Sequence, residues 1–271
     1  MAGRERRSMM TGAQAAHCGS VSAISLGLPV STAIPEAKGT LPKALFVGKA
    51  PISGKLKQRL VNEIESITML ALARSANTGL ADGKLIPEVL VIGLKLTAKA
   101  TGIPNEVIDL IAGQRKSGIV FVCVRDVPFE GSTREECAFA VRRAIPGRAG
   151  HTPIYQVYAG DWQPAGEAQL ELAGSTIDGL WASLCSQTIL GTPEVENLDA
   201  RIIRHTEIAR LESEVDKLTR DHQRVKNPAQ RNEIYCQTPQ GQGAARKNSR
   251  EDIRECETPF GLPLAGAWLA K

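Results

Sequence analysis

Hydrophobic and polar positions change their period several times along the chain, and each period predicts a different kind of element. Ser53 can cap a helix, and the apolar residues that follow it recur at the spacing of one helical face. A second amphipathic helix is predicted to begin at Ile103-Pro104 and to end at Ser117-Gly118. Three nearly continuous apolar runs predict buried strands, at Ile67–Arg74, Glu88–Thr97 and Ile119–Val124.

Beyond these runs the apolar residues alternate more regularly with polar ones. Short segments separated by Gly and Pro predict antiparallel strands with one solvated face, at Cys137–Ile145, Ile154–Ala159 and Gln169–Ala173. The whole pattern predicts an α/β or α+β core, built as a mixed sheet with packed helices, over residues 41–190. Residues 1–40 are rich in Ala, Ser, Gly and Thr and are predicted to be a disordered extension. Their basic start leaves a targeting peptide as the alternative.

The chain changes character again after residue 194. A stripe of apolar residues at spacings of three and four is set among charged residues, which predicts a helical arm over residues 194–235. This arm is either a short coiled coil or an amphipathic helix folded back on the core. Residues 236–271 are predicted to be a mostly flexible tail. The stripe is the predicted partner-binding surface, and it consists of Ile208, Leu211, Val215, Leu218 and Val225.

Two tryptophans near aspartates stand out between residues 159 and 181. Trp162 follows a predicted strand, and Trp181 lies on the apolar face of a predicted helix. Ser175 and Asp178 have the spacing of a capping box at the start of that helix. We therefore interpret all four residues as structural, with the two rings closing the fold. The alternative, a reactive Asp161, would need a second titratable partner nearby.

Composition and charge narrow the class of protein only slightly. The 271 residues are 42% hydrophobic and 23% charged, with a net charge of +4, which is ordinary for a globular chain. The six cysteines are scattered without a metal or disulfide spacing, which favours a reducing compartment. No run of about eighteen apolar residues is present, so no transmembrane helix is predicted. These features favour a cytoplasmic protein.

The predicted segments, taken in order, resemble one protein family. The residues that carry the resemblance are LPKALF at the start of the core, IESITMLALARSANTG, PEVLVIGLKL, GIVFVCV, GDWQP and LELAGSTIDGLW. In order and spacing they are similar to the bacterial domain of unknown function 4391 family over about residues 41–235. The first forty residues and Gln114–Ser117 depart from that pattern. The resemblance implies an accessory protein to a DNA helicase or methyltransferase of restriction or phage-defence type.

Most catalytic and metal-binding patterns are missing from the sequence. The four histidines are scattered, no nucleophile elbow occurs, and Gly48–Lys55 lacks the Ser or Thr that a phosphate loop needs. We therefore expect neither a metal nor a cofactor. A degenerate metal-dependent nuclease is the alternative, with Asp82, Glu88 and Lys95 as its candidates. Gly93 stands where such a nuclease would need its second carboxylate.

A basic segment precedes the first strand. It has no acidic residue between Leu41 and Asn62, and its cations are Lys43, Lys49, Lys55, Lys57 and Arg59. If these side chains converge, they predict a simple DNA-binding module; the alternative is a set of solvated faces. The leading interpretation of the whole chain remains a non-enzymatic accessory or adaptor protein. Its helical arm would bind a DNA-processing partner or a second copy of the chain.

Overall fold

The computed structural model describes residues 14–48, 52–146 and 152–224. Fifteen α-helices and β-strands follow one another within these ranges. In chain order they are β1 (His17–Cys18), β2 (Val21–Ser22), α1 (Glu36–Gly39), α2 (Ala44–Val47), α3 (Gly54–Glu63), β3 (Ile64–Ala73), α4 (Ser75–Thr78), β4 (Val89–Leu96), α5 (Asn105–Gly113), β5 (Gly118–Phe129), β6 (Ser132–Ala144), β7 (Tyr155–Ala159), β8 (Gln163–Pro164), α6 (Ile177–Leu190) and α7 (Leu198–Arg224).

Six strands form one mixed sheet, which confirms the predicted fold class as α+β. The strand order is β3-β4-β5-β6-β7, and β8 pairs with β6 beside this path. β4 and β5 run parallel, joined by the crossover helix α5, while the other pairs are antiparallel. β5 and β6 are long and meet in a tight turn at Glu130 and Gly131, both with positive φ. The central strands are the apolar runs identified in the sequence.

One face of the sheet carries the main hydrophobic core. Ser53 caps α3, as predicted, by accepting a hydrogen bond from the Leu56 backbone N–H at 3.2 Å. α3 and α5 then bury their apolar faces against alternate residues of the strands. Phe121 at the centre is fully buried. The packed side chains include Leu60, Ile64, Ile92, Leu94, Ile108, Ile111 and Phe121.

The other face is covered by α6 and by an N-terminal segment that the sequence analysis predicted to lie outside the core. Ile92 and Leu94 point into the main core, so Gly93 between them faces the opposite side of the sheet. Cys18 packs directly on Gly93: a Cβ built on the glycine would lie 2.4 Å from the Cys18 Cβ. The residues around β1 and β2 are therefore part of the folded core.

The prediction that residues 1–40 form a disordered extension is wrong for residues 14–40, while residues 1–13 lie outside the described ranges. Six apolar side chains of this segment are at most 5% exposed: Ala16, Cys18, Val21, Ala23, Leu26 and Leu28. The segment also bonds to the outer edge of β3, since Ile34 N–H reaches Leu70 O and Leu41 N–H reaches Ile67 O. The small residues of this segment give it the composition of a low-complexity tail. In the structure they allow its backbone to approach the sheet closely.

Residues 169–173 are not the strand that their alternation predicted. Leu170 is buried, as an inward strand residue would be, and its N–H bonds to Leu26 O at 2.8 Å. Glu171 finds its backbone partners in the side chain of Gln187, with N–H···Oε1 at 2.8 Å and Nε2–H···O at 2.9 Å. The Gln187 side chain thus takes the place of a neighbouring strand. Apolar and polar residues alternate as in a strand, but no ladder of backbone hydrogen bonds forms.

The described part of the C-terminal arm forms one helix from Leu198 onwards. α7 has 27 residues, and a second compact unit begins at Asp199 within it. The helix is about 40 Å long at 1.5 Å per residue. The arm is predicted over residues 194–235, but Val225, the rest of the predicted arm beyond it and the predicted tail at 236–271 lie outside the described residues.

Candidate functional site

The start of α6 anchors a loop that is distant in sequence. The predicted capping box of Ser175 and Asp178 is wrong, because the N-cap is Thr176, whose hydroxyl accepts from Gly179 N–H at 3.0 Å. Ser175 contributes only its carbonyl oxygen, which accepts from Ala81 N–H at 3.0 Å. Asp178 makes no capping contact in α6, and its side chain binds the loop before β4 instead.

Asp178 accepts three backbone N–H groups from that loop. Its carboxylate lies 2.7 Å from Lys84 N, 3.2 Å from Leu85 N and 2.9 Å from Ile86 N. Gly83 allows Asp178 to approach the loop, since a Cβ at this position would lie 2.8 Å from Asp178 Oδ1 and would also clash with Ile86 O. Burial raises the pKa of the Asp178 carboxyl, but the three N–H bonds outweigh it and hold that pKa below its ordinary value. Asp178 therefore holds the loop before β4, whereas the sequence analysis assigned it to the start of its own helix.

Replacing Asp178 by Ala is expected to lower the free energy of unfolding by about 1–3 kcal/mol, because three loop N–H groups lose a charged acceptor. A depressed folded pKa means that the stabilisation is present above the unfolded pKa, about 3.9, and is lost as pH falls through the folded value. Urea unfolding at pH 7 and pH 3 measures both effects. The matched control is the exposed Asp161→Ala, which is expected to change little. Equal losses in the two variants would contradict this role.

The structure does not bring the three nuclease candidates together. Asp82 accepts a hydrogen bond from the hydroxyl of Ser75. Glu88 immediately precedes β4, where it accepts from Arg74 Nε at 2.7 Å and from Ser117 Oγ at 2.8 Å. Burial raises the pKa of the Glu88 carboxyl, but the hydrogen bonds from Arg74 and Ser117 and the Arg74 charge together outweigh burial. The pKa of Glu88 is therefore below its ordinary value. Lys95 lies seven residues along the same strand, roughly 23 Å away.

Lys95 instead binds two carboxylates, Asp126 and Glu135, that the sequence analysis did not identify. Its Nζ lies 2.8 Å from Asp126 Oδ1 and 2.5 Å from Glu135 Oε1, and its side chain is 12% exposed. Glu135 also accepts from Ser20 N–H at 2.6 Å. Burial opposes charge on both groups, but their ion pair raises the pKa of Lys95 and lowers that of Glu135. The register of β4, β5 and β6, which brings them together, has no local sequence signal.

Both tryptophans pack on the sheet and are half-buried. Trp162 contacts the main core, and the Arg125 guanidinium carbon lies 3.9 Å from its ring centroid. Trp181 lies over Gly118 at the start of β5, where a Cβ would come within 2.6 Å of the ring. Asp161, beside Trp162, is exposed. These positions agree with the interpretation of the two rings as fold-closing elements.

The five basic residues do not form one surface in the described part of the chain. Lys43 donates to the carbonyl oxygens of Val61 and Ile64, and Arg59 pairs with Glu63 and Glu106. Lys55 and Lys57 are exposed on α3, and Lys49 lies outside the described residues. Lys43 and Arg59 therefore stabilise the C-terminal end of α3. DNA binding through this segment stays a prediction that rests on the remaining lysines.

The α7 stripe follows the predicted spacing. Ile208, Leu211, Val215 and Leu218 are all half-buried, whereas most of the charged residues around them are exposed. Arg210 on the outer side binds Glu207 at 2.8 Å and Glu214 at 3.2 Å on the same helix. These pairs, three and four residues apart, support the helix directly. α7 thus presents one apolar stripe with a charged exterior.

Four cysteines are free and buried in the described ranges. Burial raises the pKa of Cys18 and Cys185 to about 12 and that of Cys137 to about 11, and it raises the pKa of Cys123 as well. These thiols are therefore protonated and weakly nucleophilic at neutral pH. Across the same described ranges, no group of three His, Cys, Asp or Glu residues is arranged to hold a metal ion.

No helix among the residues that the structure describes is both long and apolar enough to span a bilayer.

One family model matches the chain. It is described as a domain of unknown function (DUF4391), and it covers residues 26–240. The match begins at residue 26, fifteen residues before the start of the resemblance at residue 41. This earlier start agrees with the folded state of residues 26–40. No curated protein and no solved structure matches this chain. Because the model spans most of its length, the chain belongs to the domain of unknown function 4391 family.

Proposed function

We propose that this protein is a non-enzymatic accessory protein that uses α7 to bind a helix of a DNA-processing protein in the cytoplasm. The observation that carries the proposal is the apolar stripe of α7, which runs along a 27-residue helix with charged surroundings. A long helix with one apolar stripe is the form in which helices recognise one another.

The residue types in the stripe favour a two-stranded pairing. Ile208 and Val215 occupy the first position of successive heptads, and Leu211 and Leu218 occupy the fourth. β-branched residues at the first position with leucine at the fourth favour two parallel helices over three or four. The stripe therefore fits one partner helix of similar pattern.

The charges beside the stripe favour a foreign helix over a second copy of α7. Glu207 and Glu214 occupy the position before each first apolar residue, and Glu212 lies on the opposite flank. In a parallel pair of identical α7 helices, Glu207 of one would face Glu212 of the other. Like charges there repel, so the preferred partner carries Lys or Arg at its facing positions.

The state of the candidate catalytic groups supports an accessory role. Asp82, Glu88 and Lys95 each bind a neighbouring side chain, and Glu88 precedes β4 whereas Lys95 lies near its far end. Such pairing stabilises loops and strand ends. The DNA-processing setting comes from the family resemblance, which points to a helicase or methyltransferase of restriction or phage-defence type as the partner.

The test is a tagged pull-down from native cells with three forms of the chain. Wild type is expected to retain a stoichiometric helicase or methyltransferase, and the double variant Leu211→Asp/Leu218→Asp is expected to lose at least tenfold of it, because each aspartate would bring an unpaired charge into the apolar contact. The matched control, Ala209→Asp/Ser213→Asp, changes exposed positions of the same helix. Circular dichroism checks that all three forms are equally folded. Undiminished partner recovery with the Leu variant contradicts the proposal.

A metal-dependent nuclease is the second candidate, and one contact favours it. Asp126 and Glu135 both reach Lys95 Nζ, so two carboxylates and a lysine meet on one side of the sheet. This is the set of groups that such a nuclease uses around Mg²⁺. Magnesium-dependent cleavage of DNA by the purified chain, abolished by Glu135→Gln, would replace the accessory role with this one. Uncleaved DNA would leave the accessory role ahead.

A further inference from the structure

The two edges of the sheet differ in what covers them. On the β3 side, residues 33–41 bond along the outer edge through Ala33, Ile34, Thr40 and Leu41. At the other side, β7 pairs with β6 only, and no backbone hydrogen bond from its outer edge reaches any other part of the described chain. β7 therefore presents an open strand edge.

The register shows which groups of β7 point outwards. Gly160 N–H bonds to Phe139 O at 2.9 Å, and Ile145 N–H bonds to Ile154 O at 2.8 Å. Even-numbered residues therefore direct their backbone groups towards β6, because these groups alternate sides along an antiparallel strand. The odd residues Tyr155, Val157 and Ala159 direct theirs away from the sheet. Three N–H and three C=O groups are thus available to a partner strand.

β7 lacks the usual protection of an edge strand. Its sequence, YQVYA, contains no charge and no proline, and its register with β6 shows no bulge. Such features are what normally prevent an edge from pairing with another chain. Apolar side chains are exposed beside it, with Ile154 71%, Tyr155 48% and Ile145 41% exposed. Arg142 of β6, which pairs with Val157 of β7, is held by Asp109 and lies over the Tyr155 ring.

We propose that β7 pairs antiparallel with β7 of a second copy of this chain, about a two-fold axis at Val157. This register makes six intermolecular backbone hydrogen bonds, two for each of the facing pairs that use the outward groups. Large residues then face small ones: Tyr155 lies opposite Ala159, and Ile154 lies opposite Gly160. Because the strand is uncharged, the two copies do not repel each other. This self-complementarity of size selects a second copy over a foreign strand.

The inference concerns β7 and not α7, so it goes beyond the accessory role. A contact of five residues a side buries little area, and we therefore expect a dimer that dissociates on dilution. β7 pairing joins two copies edge to edge, which would double the number of α7 helices offered to partners and raise their avidity.

Sedimentation velocity of the full chain over a range of concentrations tests the inference. Wild type is expected to shift from monomer to dimer. Ala159→Lys is expected to raise the dimer dissociation constant at least tenfold, because a lysine on an open edge blocks pairing. The position is exposed, so the monomer keeps its fold, which thermal unfolding checks. Val157→Pro removes an N–H that β6 does not use, and it is expected to weaken the dimer in the same way.

A charge pair tests the register itself. Tyr155→Glu alone is also expected to weaken the dimer, since it places two carboxylates on the edge. Combined with Ala159→Lys it is expected to restore at least tenfold of the affinity lost, because the introduced lysine of one copy faces the introduced glutamate of the other. A monomer at every concentration overturns the inference. So does a dimer that survives Ala159→Lys alone and Val157→Pro alone, or one that is lost only in Leu211→Asp/Leu218→Asp, since that dimer would form through α7.

Discussion

Replacing Leu26 by alanine is expected to lower the free energy of unfolding by about 2–5 kcal/mol, the range found when a buried leucine is truncated. Leu26 is fully buried, and its carbonyl oxygen accepts from Leu170 N–H at 2.8 Å. The residue lies in the segment whose composition predicted a disordered extension. A loss of this size would show that residues 14–40 are part of the cooperative core.

Ile24 provides the matched control two residues away. Its side chain is 54% exposed, so Ile24→Ala is expected to change the free energy of unfolding by about 0.5 kcal/mol or less. Guanidinium unfolding of both variants, with tryptophan fluorescence as the readout, gives the two values directly. If Leu26→Ala were as mild as Ile24→Ala, the segment would contribute nothing to the folded state.

Replacing Gly93 by alanine is expected to destabilise the fold by about 1–3 kcal/mol through overpacking. The added Cβ would lie 2.4 Å from the Cys18 Cβ and 2.9 Å from its Sγ, so β1 would have to move away from the sheet. Gly93→Glu is expected to unfold the protein at 25 °C, because it adds a buried carboxylate to the same clash. Packing against Cys18 therefore explains why position 93 is glycine and not the second carboxylate that a metal-dependent nuclease would need.

Two further variants separate this clash from the general effect of removing a glycine. Gly102→Ala has no atom within 4 Å of the new Cβ and is expected to leave stability nearly unchanged. Cys18→Gly removes the two closest atoms that the new methyl group meets and leaves Leu70 Cδ1 at 3.3 Å, so the double variant with Gly93→Ala should be less destabilised than the sum of the two single changes. Strict additivity in denaturant unfolding would show that Cys18 and Gly93 do not contact one another.

The sequence determined the elements whose evidence is local. The apolar runs at β3, β4 and β5 predicted buried strands, because a strand covered on both faces has few polar positions. Ser53 predicted the start of α3, since the capping hydroxyl and the N–H it binds lie three residues apart. The spacing along α7 predicted a helix with one apolar stripe. In each case the residues that interact are close in sequence, so the pattern alone contains the information.

Only the tertiary structure decided which distant residues meet. Asp178 binds backbone groups 92 to 94 residues away, although its spacing from Ser175 pointed to a capping box. Lys95 meets Asp126 and Glu135, 31 and 40 residues away, because three strands bring them to one side of the sheet. The segment at residues 14–40 became part of the core because Gly93 leaves room for Cys18. A polar or small residue has many acceptable partners, and its local pattern does not specify one; the register of the sheet does.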